Sequence, residues 1–233
     1  MKIRYLIRRI PKEANWLAAS AAAILLTKFL YLDRIPELFQ GASKAGGLVE
    51  SLLTSLLAGY VFYFFVQQIT EARQFIALSP FVQSQVKWIN GITELQVREI
   101  SEASGILMDL ATLDRDQIVE AFGKLSPNSS APLYMVAANR EAIWIEYFEF
   151  YREKTSYVIS TLRYQQNYLT PEISAAIADI DNSNFFHFLR NISSTHSRTI
   201  SNENMLVLAE IFYLYASRCR DLSSHAAKYA EEF

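Results

Sequence analysis

Apolar positions follow two different patterns along this chain, and the change falls near residue 78. Before it, two stretches are apolar on every face: WLAASAAAILLTKFLYL at Trp16–Leu32 and GGLVESLLTSLLAGYVFYFFV at Gly46–Val66. The second has 21 residues. At about 1.5 Å per residue it matches the thickness of a hydrocarbon core. The first has 17 residues, the lower limit for a span. Thirteen polar or turn-type residues separate them, enough for a reversal, so the pattern predicts a helical hairpin in a membrane. Two other readings fit less well. A signal peptide needs a small-residue cleavage site after its apolar run, and DRIPELFQGASKAGG offers a poor match around Gly41 and Ser43. A soluble core helix is rarely apolar all round for this length.

Beyond residue 78 the apolar positions recur on one face at helical spacing. The second span continues to about Leu78, and Ser79-Pro80 marks a restart, Ser as N-cap and Pro at the first helical position. That helix runs to about Leu110, with Glu94 and Arg98 at i, i+4. Asp114 followed by Gln117 opens a short helix ending near Lys124, and Ser126–Pro132 is a loop. A long helix is predicted from Leu133 to about Tyr168, with Trp144, Tyr147, Phe148 and Tyr151 at helical spacing. Thr170-Pro171 starts another helix, Asp181–Asn184 punctuates, and a polar loop covers about Ser193 to Asn202. In the last helix Met205, Leu208, Phe212, Tyr215, Cys219, Leu222, Ala226, Tyr229 and Phe233 alternate spacings of three and four, the seam of a helix packed lengthwise. No segment alternates with period two for long enough to argue a sheet. The expected fold class is all-α: a basic amphipathic segment (1–14), a transmembrane hairpin with spans of about 16–32 and 46–66 and a helical exit (15–78), and a cytoplasmic helical bundle (79–233).

Charge sets the orientation. Lys2, Arg4, Arg8, Arg9 and Lys12 precede the first span, and the intervening loop holds Arg34 and Lys44. The positive-inside rule then places the N-terminus in the cytoplasm, and the hairpin returns the C-terminus to the same side. Ile3, Leu6, Ile7 and Ile10 share a helical face opposite most of these charges. That suits a helix lying on anionic lipid head groups; a structureless topology signal fits the same residues. Residues 1–66 carry a net charge of +4 and the remainder −6. An acidic domain of this kind excludes nucleic acid as an expected partner, although Arg218 and Arg220 form a local basic pair.

Within the spans, small residues recur every four positions: Ser51, Ser55 and Gly59 on the second, Ala18 and Ala22 on the first. Such stripes let helix backbones approach in lipid, joining the two spans to each other or one copy of the chain to another, and a homo-oligomer is expected. Lys28 and Glu50 fall at similar depth in an antiparallel hairpin, so they form an ion pair near the outer interface or snorkel to it separately. Tyr60, Phe62, Tyr63, Phe64 and Phe65 crowd the inner end at the level of Trp16, as an interfacial aromatic belt does.

Catalytic patterns are missing from the chain. It has no phosphate loop, no Walker pattern and no G-x-S-x-G elbow. His187, His196 and His225 belong to neither H-E-x-x-H nor Glu-x-x-His, and a single cysteine builds no disulfide and no structural zinc site. Glu146, Glu149 and Glu153 share a helix face, but interleaved Arg152 and Lys154 mark that face as solvated. Cys219 and His225 sit about 120° apart on a helix, with Cys219 on the apolar seam, which suits a buried structural thiol. No cofactor and no metal are expected. His196 and Arg198, in SSTHSRTISN, form the one polar cluster able to hold an anion or small ligand, or to serve as a plain connector.

The stretch AGYVFYFFVQQITEARQ at Ala58–Gln74 resembles one found in uncharacterised small bacterial proteins with two membrane spans and a cytoplasmic helical tail. In those proteins an aromatic span end is followed by a short amphipathic exit carrying Glu and Arg, here Glu71 and Arg73; a proline commonly precedes the Glu, where this chain has Thr70. The resemblance covers about 17 residues and implies a bacterial inner-membrane location, but transfers no catalytic residue. Some proteins of this layout resemble effectors of antiphage systems, which damage the inner membrane when triggered. Three functions follow in order of expectation: a membrane-anchored, non-enzymatic protein whose helical domain binds a protein partner; a membrane-perturbing effector; and an enzyme at the membrane face.

Overall fold

Helix formers dominate both halves of the chain, and a computed structural model, which describes residues 11–31, 42–194 and 205–231, is mostly helical. The expectations for residues 1–10, for the loop around Gln40, and for His196 and Arg198 lie outside the described residues. The chain divides into two compact units between Ala77 and Leu78.

In the first unit, α1 (Lys12–Leu30) and α2 (Ala42–Tyr63) pack together in opposite directions. Asn15 lies against Tyr60, and Lys28 against Glu50. Ala18 and Ala21 are the buried residues of α1, small enough to let α2 approach. A π-helical turn follows at Phe64–Gln68, its buried Gln68 donating to Tyr63 Oη at 3.0 Å. Helix α3 (Ile69–Ser104) then runs through Pro80. The restart expected at Ser79-Pro80 is therefore corrected. Pro80 removes one hydrogen bond, to the carbonyl four residues earlier, but Phe75, Val82 and Val86 are buried on either side and carry the helix across. Ser79 is not an N-cap; its hydroxyl accepts from Gln83 Nε2 at 3.1 Å. The helix stops at Ser104, short of the expected Leu110. Gly105, at φ 70°, takes the left-handed position that ends a helix, and its N–H bonds the Ser101 carbonyl at 2.9 Å.

The second unit continues with α4 (Arg115–Gly123), capped by Asp114, whose carboxylate accepts from the Asp116 N–H. A two-stranded antiparallel sheet comes next, β1 (Ser130–Met135) and β2 (Arg140–Ile143), paired Tyr134 to Glu141 and Met135 to Arg140. The all-α expectation holds broadly, with this small sheet as its exception, and the helix expected from Leu133 is corrected: it begins at Trp144. Leu133, Met135, Ala137, Ala138, Glu141 and Ala142 all favour helix by propensity. The sheet buries only Ala131 and Ala142, too small to write a period-two pattern, while Asn139 at φ 51° turns the chain. Helix α5 (Trp144–Arg163) starts where Glu146 accepts from the Ile143 N–H at 3.1 Å, and ends before the expected Tyr168. Then come α6 (Pro171–Asp181), capped by Thr170, α7 (Asn184–Ser194) and α8 (Leu206–Glu231).

Helices α4, α5, α7 and α8 meet in an aromatic core. Phe122, Phe148, Phe185 and Phe212 lie with ring centroids 5.3 to 6.0 Å apart, and Tyr215 stacks on Phe185 at 5.0 Å. Asp181 ties three helices by pairing with Arg163 at 2.9 Å and Arg190 at 2.7 Å. Every described member of the α8 seam, from Met205 to Tyr229, is buried.

Candidate functional site

Two regions carry the residues with functional potential. The first is the α1–α2 pair. Trp16, Phe29, Leu48 and Phe62 are each at least 67 % exposed, although all are apolar. Among the described residues one helix, Lys44–Ser104, is long and apolar enough to cross a membrane, and none of its most apolar window is buried. Where the two helices touch, Tyr60 Oη donates to Asn15 Oδ1 at 2.5 Å, and Lys28 Nζ donates to Glu50 Oε2 at 2.6 Å. Lys28 is the better covered partner, its side chain 22 % exposed against 52 % for Glu50. The Asn15–Tyr60 bond escaped the sequence reading; the signal available was a lone Asn at the depth of the aromatic belt.

The small-residue stripes are divided. Ala18 is buried and Ala22 half-buried, so the α1 stripe faces α2, with Ala21 buried more deeply than either. Ser51, Ser55 and Gly59 are exposed, while Leu53, Leu56, Leu57 and Tyr60 are half-buried. The α2 stripe is thus turned away from α1. Ser51 and Ser55 donate back to the carbonyls of Gly47 and Ser51, which satisfies their hydroxyls within the helix.

The second region is an open groove on the C-terminal unit. One cavity of about 530 Å³ is lined by Glu94, Val97, Arg98, Met108, Asp109 and Gln117. A second, of about 260 Å³, shares Glu94 and adds Asn90, Arg220, Ser223 and Ser224. The charges on these walls are engaged locally: Glu94 accepts from Asn90 Nδ2 at 3.2 Å, Asp109 accepts from the Ala111 N–H at 2.9 Å, and Arg220 bonds the Ala111 carbonyl at 3.5 Å. Arg218 is spent likewise on the Asp179 carbonyl at 2.9 Å.

Elsewhere several titratable groups are buried or ion-paired. Cys219 is fully buried, and burial pushes its thiol up to about 12, where it stays protonated and inert. Burial also raises Tyr147, Tyr215 and Glu99 above their ordinary values. Glu146 pairs with Arg140 at 2.6 Å and Glu153 with Arg152 at 3.5 Å. Among the described residues no cluster of His, Cys, Asp or Glu is placed to hold a metal ion. Trp144, Tyr147 and Phe148, prominent on the expected long helix, are core residues and offer no outer face. No protein-family model, no curated protein and no solved structure matches the chain.

Proposed function

We propose that this chain is a membrane-anchored, non-enzymatic protein of the bacterial inner membrane. In this reading α1 and α2 cross the bilayer as a hairpin, both termini face the cytoplasm, and the domain beyond residue 78 engages a protein partner. One observation carries the anchor: the first unit leaves most of its large apolar side chains uncovered along both helices, while the second, apart from scattered ones such as Trp88, Leu107 and Val136, gathers its own around Phe122, Phe148 and Phe212. A patch of that extent is costly in water and costs nothing in lipid. The basic N-terminus supports the orientation. The open groove, its charges engaged by neighbours, supports partner binding over catalysis.

Topology reporters test this. A phosphatase that works only outside the cytoplasm is expected to be active within Gln40–Lys44 and inactive at Phe233. Activity at Phe233 overturns the orientation, and a full chain soluble without detergent overturns the anchor.

A second reading, a membrane-perturbing effector whose hairpins assemble on a trigger, is favoured by the stripe Ser51–Ser55–Gly59 lying away from α1, where another copy can reach it. Induced expression should then depolarise cells. An unchanged membrane potential leaves the anchored binding protein as the function.

A further inference from the structure

Six buried positions of α3 make a seam at alternating spacings of four and three: Val82, Val86, Ile89, Thr93, Gln96 and Ile100. Four are apolar and β-branched, as such a seam favours. Thr93 and Gln96 are polar, yet no more than 1 % exposed. Polar groups face them from two helices: the phenol of Tyr215 on α8 sits beside Thr93, Cys219 and, from α5, Thr155. Hydrogen bonding across this seam is incomplete. Thr93 Oγ1 lies 3.5 Å from Tyr215 Oη, and its hydroxyl donates to the Ile89 carbonyl of its own helix at 3.1 Å. Gln96 Oε1 is buried without a hydrogen-bond partner in the protein, and a turn further on the partly buried Glu99 carboxyl lies near the buried Tyr147 hydroxyl. Groups like these bond fully only where water reaches them, so closing the seam gains less than closing an apolar one.

Packing points the same way. The outer side of the same stretch, at Glu94 and Arg98, faces open cavity. Gly91, inside the helix just before it, lowers the helix's own stability.

We propose that the stretch of α3 from Thr93 to Ile100 is a releasable face of the domain, parting from α5 and α8 to admit water while the aromatic core stays folded. This stretch is continuous, through α3 and the π-helical turn, with the long helix Lys44–Ser104 that holds the apolar window, so its release is the step by which an event on the domain reaches the membrane. That consequence rests on the anchor reading; the parting does not, and the topology reporters test the anchor separately.

Hydrogen exchange read by mass spectrometry on the full chain in detergent micelles tests the parting. Amides of residues 93–100 should exchange about tenfold or more faster than those of residues 208–222, although both stretches are buried. The double variant Thr93→Val with Gln96→Leu should close most of that gap and raise the melting temperature. Equal protection of the two stretches in the unaltered chain overturns the proposal. So does a gap that the apolar pair leaves unchanged. Should branched Leu not fit at 96, Gln96→Met supplies a flexible apolar side chain in its place. If neither variant folds, the polar pair is required by the fold and the proposal falls.

Discussion

Helices α2 and α8 are alike in local structure and opposite in where their apolar side chains go. α8 gathers Leu208, Phe212, Tyr215, Cys219 and Leu222 on one stripe and buries all of it. α2 spreads Leu48, Leu52, Val61 and Phe62 around its circumference and leaves them uncovered. A helix with one apolar stripe is addressed to a protein core; one that is apolar all round is addressed to a medium. The two regions therefore draw stability from different sources, and a substitution in each should report on a different environment.

The largest contrast is expected from matched aromatic truncations. Phe212→Ala removes a fully buried ring that touches Phe122, Phe148, Phe185 and Tyr215. It should cost the C-terminal unit about 3–5 kcal/mol, read as a fall in the thermal midpoint of its unfolding. Phe62→Ala, at a position 67 % exposed, should change that midpoint by less than about 0.5 kcal/mol equivalent and instead weaken retention in lipid vesicles. If Phe62→Ala unfolds the domain, the division into two environments is wrong.

What was legible in the sequence follows the same contrast. The α8 seam and the caps at Asp114 and Thr170-Pro171 could be read directly, because each is written in a few adjacent residues with one physical meaning. The β1–β2 pair could not, since its inward residues are alanines and its composition favours helix. Pro80 misled because tertiary burial on both sides outweighed a local break. In the first unit the stripes were legible, but their partners were not: periodicity shows that a face is small, and only packing shows which face α1 covers. The Lys28–Glu50 juxtaposition depends on the depth of two helices packed in opposite directions, which the spacing of the two stretches already encodes. The polar residues of the α3 seam were hidden by the apolar ones between them.

A smaller effect is expected at Glu99, where burial raises the carboxyl above its ordinary value and a nearby Tyr147 hydroxyl partly opposes the rise. A folded-state value above the unfolded one means that the folded chain holds the proton more tightly. The stabilising contribution is then complete below the ordinary carboxylate range, around pH 4, and is lost as pH rises through the raised value. Glu99→Gln carries no charge to bury. It should melt above the unaltered chain at pH 7–8, by less than about 1 kcal/mol equivalent because the group is partly solvated, and the difference should vanish near pH 4. A difference that grows on acidification would falsify the assignment of burial as the dominant cause.

The smallest effect on the folded chain is expected from adding bulk to the α2 stripe, and here the two helices part most clearly. At Ala216 on α8, fully buried, extra methylenes would press into a packed core at a cost of about 1–3 kcal/mol. A side chain begun at Gly59 meets nothing within 4 Å. Gly59→Leu should therefore leave the α1–α2 pair unaltered. A short thiol crosslinker between cysteines placed at Asn15 and Tyr60, which hydrogen-bond in the native pair, should react as efficiently as without the change. If the stripe is where copies of the chain meet in the membrane, crosslinked dimers and higher species should fall in the same preparation, because Leu holds two backbones apart where Gly lets them close. Loss of the Asn15–Tyr60 crosslink would mean that the stripe belongs to the α1 interface after all. Dimers that persist beside an intact crosslink would move self-association to another face of the pair.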